Sequence, residues 1–381
     1  MHTADWHLGK LLKGVDRTPE IAAALDDLGQ MVAKERIELV LVCGDLFDKA
    51  QVSTEAQAAA FGFFKRLSEL KVPSLVIAGN HDSREGLEAL SPLLSLAGAT
   101  VRGQVRLAGK GGEVEVAGVK AAMLPFLSER RLVSAQGLLE GDSTRWKGSY
   151  DEGIRRVISN LTESFEPRQI NLILGHLTVD GSKLGGGEFT FYTTNSYAVS
   201  PSTFPVTSSY VALGHIHRQQ QVSAAPAAWY SGSLVQLDFG EGEEAPRGVI
   251  IAEVSAGVAP VVTPVDVRWG KPLKTFRIKL DELDRKLESV REFSGYAKLV
   301  LEGRGNPALR ERIFRQLPQV LDVEFRTQEQ EVPSGEVFDP EELDWSETYS
   351  HYHQETTGAA PQEGLMKAFR QAYEETLVEP V

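Results

Sequence analysis

Along roughly the first 260 residues, short continuous apolar runs alternate with stretches whose apolar positions recur every three to four residues, and Gly-rich turns separate them. The runs predict strands at 38–43, 74–78, 113–116, 121–124, 170–174, 210–213, 228–230 and 249–254. The periodic stretches predict helices at 18–35, 54–70, 84–96 and 153–163. Several runs are apolar throughout, as when both faces of a strand are covered. The expected fold class is therefore α/β, a β-sandwich flanked by helices. Near 269–272 the pattern changes to strand 274–280, helix 281–290, strand 296–302, helix 307–316 and strand 320–325, a small βαβαβ unit. Beyond it, Asp339, Pro340 and Glu342 form a capping box, with Phe338 and Leu343 at staple positions and Gly358 as a stop. A second helix opens at Pro361, with Leu365, Met366, Phe369, Tyr373 and Leu377 three to four apart. The expected boundaries are 1–268, 269–330 and 331–381.

Composition adds exclusions. A hydrophobic share of 42% and a charged share of 24% rule out global disorder, and 381 residues suffice for two or three domains. The single cysteine, Cys43, removes an internal disulfide framework and any cysteine-built zinc or iron–sulfur site. No apolar run reaches the ~18 residues of a transmembrane helix, and no secretory segment opens the chain, so a cytoplasmic location without membrane is expected. The net charge of −13 argues against a nucleic-acid partner until it is divided along the chain. Positions 327–381 carry thirteen acidic and two basic residues, or −11, which leaves −2 for everything before them. The acidity belongs to the patterned C-terminal helices, which need a surface to dock on.

Five segments place polar residues at the end of an apolar run: Asp5-Trp6-His7, Gly44-Asp45, Gly79-Asn80-His81-Asp82, Gly175-His176 and Gly214-His215-Ile216-His217. They hold five of the eight histidines. Carboxylate, imidazole and amide oxygen suit divalent ions such as Mn²⁺ or Mg²⁺. In Asp5-x-His7 and His215-x-His217 the spacing of two puts both side chains on one face of an extended chain, roughly 6.5–7 Å apart. Asp45 has two oxygens with which to bridge two ions ~3.5–4 Å apart, a centre suited to in-line displacement at phosphorus. Two divalent ions against two carboxylates leave the site positive, so it can attract a phosphodiester.

This ordered series resembles the calcineurin-like metallophosphoesterase superfamily. His2-Thr3-Ala4-Asp5-Trp6-His7-Leu8-Gly9 and Gly44-Asp45-Leu46-Phe47-Asp48 narrow the likeness to the bacterial SbcD nucleases, the counterparts of the Mre-type repair nucleases. The resemblance covers nearly the whole chain. It implies a dimetal nuclease domain over 1–268, a DNA capping domain over 269–330, and C-terminal helices over 331–381 that grip an SbcC-type coiled-coil ATPase. The docking residues would be Leu365, Met366, Phe369 and Tyr373. By position, Asp5, His7, Asp45 and His217 would hold one Mn²⁺, and Asp45, Asn80, His176 and His215 the other. His81 would be the catalytic histidine at the leaving 3′ oxygen, with Asp48 and Asp82 supporting the ligands. The implied function is Mn²⁺-dependent cleavage of DNA in repair and recombination, as a double-strand 3′–5′ exonuclease and a single-strand or hairpin endonuclease. Relatives dimerise through helices that follow the Asn-His motif, here 84–96. Two departures stand out. Asp48 replaces a histidine of the archaeal and eukaryotic relatives, and only four residues precede Asp5, so either the true start lies upstream or the first strand is short, with weak support for Asp5 and His7.

Other features read more plainly. His351 and His353 lie in a helical pattern, where residues two apart point about 200° from one another, so they are not read as a metal site. Gly185-Gly186-Gly187 reads as a flexible loop or a lip near His176. Lys10, Lys13, Arg17, Arg84, Arg130, Arg131, Lys183 and Arg218 are scattered cations, most of them read as solvated. Lys10, Arg84, Lys183 and Arg218 adjoin the motifs and are weak candidates for phosphate contacts. The stripe Leu87, Leu90, Leu94 reads as core and also as the dimer contact. Against the nuclease stand two alternatives: an esterase of small phosphodiesters or phosphoproteins, and a scaffold on a decayed body.

Overall fold

A computed structural model of the chain describes residues 1–128, 131–132, 149–188, 197–326, 349, 361, 364–366 and 369. From the N-terminus, β1 (His2–Thr3) leads to a hairpin of β2 (Leu11–Leu12) and β3 (Val15–Asp16). Then come α1 (Thr18–Lys34), β4 (Val40–Cys43), α2 (Thr54–Glu69), β5 (Ser74–Ile77), α3 (Arg84–Leu96) and β6 (Ala99–Arg102). The next elements are β7 (Glu113–Val116), β8 (Val119–Leu124), α4 (Tyr150–Leu161), β9 (Ile170–His176), and the short β10 (Thr178–Val179) and β11 (Ala198–Val199). They are followed by β12 (Tyr210–Gly214), β13 (Gln220–Ala224), β14 (Ala227–Tyr230), β15 (Gly248–Ser255) and β16 (Val258–Asp266). Finally β17 (Leu273–Lys279), α5 (Leu283–Arg291), β18 (Tyr296–Glu302), α6 (Pro307–Gln316) and β19 (Val320–Arg326) form a distinct group.

Two six-stranded sheets face one another, in the orders β16-β15-β1-β4-β5-β6 and β13-β14-β12-β9-β8-β7. Leu41, Cys43, Leu75 and Ile77 of the first meet Ala121, Met123, Leu172, Leu174 and Ala212 of the second in the central layer. On its other face the first sheet buries Val40, Val42 and Val76 against α1, α2 and α3. The second buries Ile173, Val211 and Leu213 against α4. This double covering is why the central strands are apolar on both faces. The expected helix-flanked sandwich is thus the observed one. The helix read from position 153 begins earlier, at Tyr150, because the Ser149 hydroxyl caps the amide of Glu152 at 3.3 Å. The strand β16 was not foreseen from its sequence; Pro260 and Pro264 fit its edge position, where missing donors leave no gap in the ladder.

The strands β17, β18 and β19 form a separate parallel sheet with its own core of Leu287, Val290, Leu299, Leu301 and Ile313. Residues Met1–Arg326 make one compact unit and Thr327–Val381 another. Within the latter, Gly364–Met366 and Phe369 are helical, and Tyr349 stacks on Phe369 at 4.2 Å. Leu365 is exposed, while Met366 and Phe369 are half-buried. Tyr373, the capping box at 339–342, His351 and His353 lie outside the described residues, as does Arg130. No helix among the described residues is long and apolar enough to cross a membrane.

Candidate metal centre

Strands β1, β4 and β5 run parallel in the first sheet, as do β9 and β12 in the second. Each of the five motifs sits at or just past the carboxyl end of one of these strands, the end where α/β sheets place their sites. Two glycines permit the close approach. A Cβ on Gly214 would run into the carbonyl of Cys43 across the sandwich, and one on Gly79 into the Asp45 carboxylate.

The two spacing-of-two motifs are not extended. Asp5, His7, Asp45 and His215 have φ of 53°, 52°, 51° and 101°. Left-handed turns, not the pleat, make the side chains converge, and the middle residues Trp6 and Ile216 are buried in the two helix-facing cores. Strain of this kind costs about 1–3 kcal/mol per residue and persists only where the surroundings over-determine it. Those surroundings are present. Although β1 is only two residues long, it pairs on both sides, and the amides of Asp5, His7 and Leu8 donate to the carbonyls of Gly44, Asp45 and Leu46, each at 3.0 Å. The weak support expected for Asp5 and His7 is not found.

The donors face one another in a buried pocket. Asp45 Oδ2 lies 3.6 Å from His7 Nε2 and 3.4 Å from His176 Nε2. Asn80 Oδ1 lies 3.0 Å from His176 Nε2 and 2.8 Å from His215 Nδ1. Donor atoms of Asp5, His7 and His217 fall within 4.8 Å of one another, as do those of Asp5, Asp45 and His176. All the candidate metal ligands thus come together. The set fits divalent ions on two grounds: its chemistry is oxygen and imidazole nitrogen, and the buried His7 Nε2 has no hydrogen bond among the described residues.

The other ring nitrogens are held from behind. His7 Nδ1 lies 3.2 Å from Asp48 Oδ1, His176 Nδ1 2.8 Å from the Cys43 carbonyl, and His217 Nδ1 2.9 Å from Glu241 Oε1. Such partners fix tautomer and ring orientation. His81, half-buried, places Nδ1 3.0 Å from the Asp48 carbonyl, and its amide donates to Asp45 Oδ1 at 2.8 Å. Asp82 accepts the amides of Gly79 and Phe47 at 2.9 and 3.0 Å and Leu46 at 3.3 Å, stapling two motif loops together.

Ionisation follows burial and pairing. Burial raises Asp5 and Asp82, and lowers His7 to about 4, so the His7 ring is neutral. Burial would raise Asp45 too, but the imidazoles led by His176 hold it well below the carboxylate range. Against burial, Asp45 lifts His176 to about 9 and Glu241 lifts His217 to about 9. Metal uptake at this site must therefore displace protons.

The candidate phosphate contacts are less uniform. Lys10 is tied to Asp48 at 3.1 Å, and Arg84, at the start of α3, pairs with Glu85 at 2.9 Å. Lys183 is exposed and Arg218 half-buried. Arg17, read as a solvated cation, is 0% exposed. The Gly185–Gly187 loop is not free: the Glu188 carboxylate accepts the amides of Gly185, Gly186 and His217, so it lies against His217. Of the leucine stripe, Leu87 and Leu94 are buried in the chain's own core, and Leu90 packs against it. The exposed leucines of α3 are instead Leu93 and Leu96, beside an apolar cavity of about 430 Å³ shared with α2. Glu241 and Glu188 escaped the sequence reading. Each follows a glycine, at Gly240 and Gly187, but nothing in the linear order ties either to His217.

The calcineurin-like phosphoesterase family matches residues 1–219. The chain is 30% identical to the D subunit of nuclease SbcCD from Bacillus subtilis (strain 168) over 378 residues, covering 97% of this chain and 96% of that protein. It is 30% identical to the Staphylococcus epidermidis counterpart, also a D subunit of nuclease SbcCD, over 63% of this chain and 62% of that one. For the Rhodobacter capsulatus counterpart of the same name the identity is 30%, over 70% and 68%. A solved dimetal phosphatase from Danio rerio aligns at a TM-score of 0.41 and 13% identity over 68% of this chain and 96% of its own, too distant to carry an argument.

Proposed function

This chain belongs to the calcineurin-like phosphoesterase family, in its branch of SbcD nucleases, and we propose that it is a Mn²⁺-dependent DNA nuclease. One observation carries the reading: seven oxygen and imidazole donors from five strand ends meet in one pocket, with His81 at its half-buried margin. DNA is favoured over a small ester because the likeness to the B. subtilis protein extends over 97% of the chain, through the three-stranded sheet and the acidic segment that ester hydrolysis does not need.

In this proposal Asp5, His7, Asp45 and His217 hold one ion, and Asp45, Asn80, His176 and His215 the other. Ions held there would supply an activated water and positive charge for the phosphoryl oxygens. The residues of the chain do the positioning. Asp48 orients His7 through its side chain and His81 through its carbonyl. With Nδ1–H donated to that carbonyl, His81 as the imidazolium would give its Nε2 proton to the leaving 3′ oxygen and be left neutral. Lys10, Arg84, Lys183 and Arg218 would contact backbone phosphates. Residues 1–268 form the nuclease body, 269–330 guide duplex DNA, and 331–381 dock on an SbcC-type coiled-coil ATPase through Leu365, Met366, Phe369 and Tyr373. Homodimerisation through α3 is carried by the exposed Leu93 and Leu96 rather than by Leu87 and Leu94. The activities are a 3′–5′ exonuclease on duplexes and an endonuclease on single strands and hairpins.

The test offers labelled hairpin and duplex DNA beside bis(p-nitrophenyl) phosphate, with Mn²⁺ or after chelation. Wild type should cleave DNA only with metal, and His81→Ala should lose about 10²–10⁴-fold in turnover while keeping its Mn²⁺ affinity. Cleavage of the small ester alone would overturn the nuclease reading.

A further inference from the structure

Arg17 is the N-cap residue of α1, and its guanidinium lies at the crossing between the sandwich and the three-stranded sheet. Its Nε and Nη2 donate to the two carboxylate oxygens of Glu20 at 3.1 and 3.0 Å. Nη1 donates to the carbonyl of Gln236 at 3.0 Å, and Nη2 also to that of Lys271 at 3.3 Å. The plane lies 5.5 Å from the ring centre of Tyr296, the first residue of β18. One fully buried cation therefore touches the first helix, a loop of the sandwich, the 267–272 connector and the small sheet.

The neighbours complete the anchor. Glu20 also accepts the amide of Lys271, whose ammonium sits 4.8 Å from the Tyr296 ring centre. The side chain of Gln236 accepts the amide of Leu273, where β17 begins, at 2.9 Å. Gly270 has φ +73°, and a Cβ there would meet Glu20 Oε2 at 3.0 Å. On its other side, Arg17 is bound to the metal-ligand loop: its amide donates to the Lys10 carbonyl at 2.9 Å, and the Lys10 amide to the His7 carbonyl at 3.0 Å. A second contact, Lys13 to Asp322 at 3.1 Å, is half-exposed and adds little.

We propose that Arg17 is a positioning residue that seats the three-stranded sheet in register with the metal-ligand loop. A substrate long enough to lie on both surfaces is aligned by that seat, whereas a small ester needs only the pocket. A planar fork can serve a carboxylate, two carbonyls and a ring face together; the point charge of lysine cannot. The substrate half of this inference rests on the nuclease reading, but the seat itself does not.

The test compares full-length wild type with Arg17→Lys and Arg17→Ala. Glu20→Gln serves as a packing-conservative variant should the arginine variants fail to fold. Limited trypsin digestion reads the connector at the Arg268–Trp269 bond, where the variants should be cut about tenfold faster. In the Mn²⁺ form, kcat/KM on duplex DNA should fall by about tenfold or more, with hydrolysis of bis(p-nitrophenyl) phosphate and Mn²⁺ affinity unchanged. Parallel loss on both substrates, or connector cleavage equal to wild type, overturns the proposal. If wild type cleaves no DNA the nuclease reading fails, and the trypsin rates alone decide the seat.

Discussion

The two sheets present their donors on positive-φ turns, at Asp5 and His7 in one and at His215 in the other, but secure them by different means. In Asp5-Trp6-His7 and in His215-Ile216-His217, the residue between the donors plunges into its own sheet's helix-facing core. Trp6 packs on Phe63 and Phe64, with ring centres at 5.3 and 6.1 Å. From there the halves diverge. His7 is backed by Asp48, from the loop that already carries Asp45 and is bonded to residues 5–8. His217 is backed by Glu241, from a loop after β14, and its amide by Glu188. The first half is thus supported by its neighbouring strand loop, and the second by distant segments that must fold onto it. Sheet topology decides where the donors meet, while loops decide how each ring is turned.

The largest expected effect tests the shared device, the buried middle residue. Trp6→Ala should destabilise by about 3–5 kcal/mol and Ile216→Ala by roughly 2–5. The tryptophan should stand at the higher end, because it also loses its 3.0 Å bond from Nε1 to the Thr3 hydroxyl. Urea unfolding measures both. If Ile216→Ala is the costlier, the second half depends more on its anchor than the first.

Next comes the residue that joins the halves. Asp45 reaches toward His7 on one side and His176 on the other. Asp45→Ala should lower Mn²⁺ stoichiometry in calorimetry and cut phosphodiester turnover by about 10²–10³-fold or more. Two ions bound per chain at wild-type affinity would mean that Asp45 is not shared.

The same contrast explains what could be read beforehand. The sandwich, its helices and the βαβαβ group were legible because covered strands are apolar runs and exposed helices are periodic. The donors were legible because each ends such a run. Their local conformation was not: spacing of two suggests a pleat, and only the backbone reveals left-handed turns at Asp5, His7 and His215. Arg17 and Glu241 were missed for a common reason. The Arg17–Glu20 pair, three residues apart at the start of a helix, looks like an ordinary surface pair. What buries each charge, Gln236, Lys271 and Tyr296 for Arg17 and His217 for Glu241, lies elsewhere in the chain. Burial also decides the α3 stripe, since Leu87 and Leu94 turn inward while Leu93 and Leu96 do not.

The smallest effect separates the two supporting carboxylates by how many oxygens each uses. At Asp48, His7 Nδ1 and Lys10 Nζ both approach Oδ1, at 3.2 and 3.1 Å. Asparagine can keep that oxygen in place, so Asp48→Asn should weaken Mn²⁺ binding by less than about tenfold. At Glu241 both oxygens are occupied, Oε1 by His217 Nδ1 at 2.9 Å and Oε2 by the Leu237 amide at 3.0 Å. Glutamine must turn its NH₂ group toward one of those donors, leaving His217 or the loop without an acceptor in a dry site. Glu241→Gln should therefore fall toward the upper part of the roughly 10–100-fold range for losing such a support. Calorimetric titration with Mn²⁺ ranks the two directly. Equal losses would show that the remote loop holds its histidine no more tightly than the neighbouring one, and the asymmetry between the halves would then lie in their anchors alone.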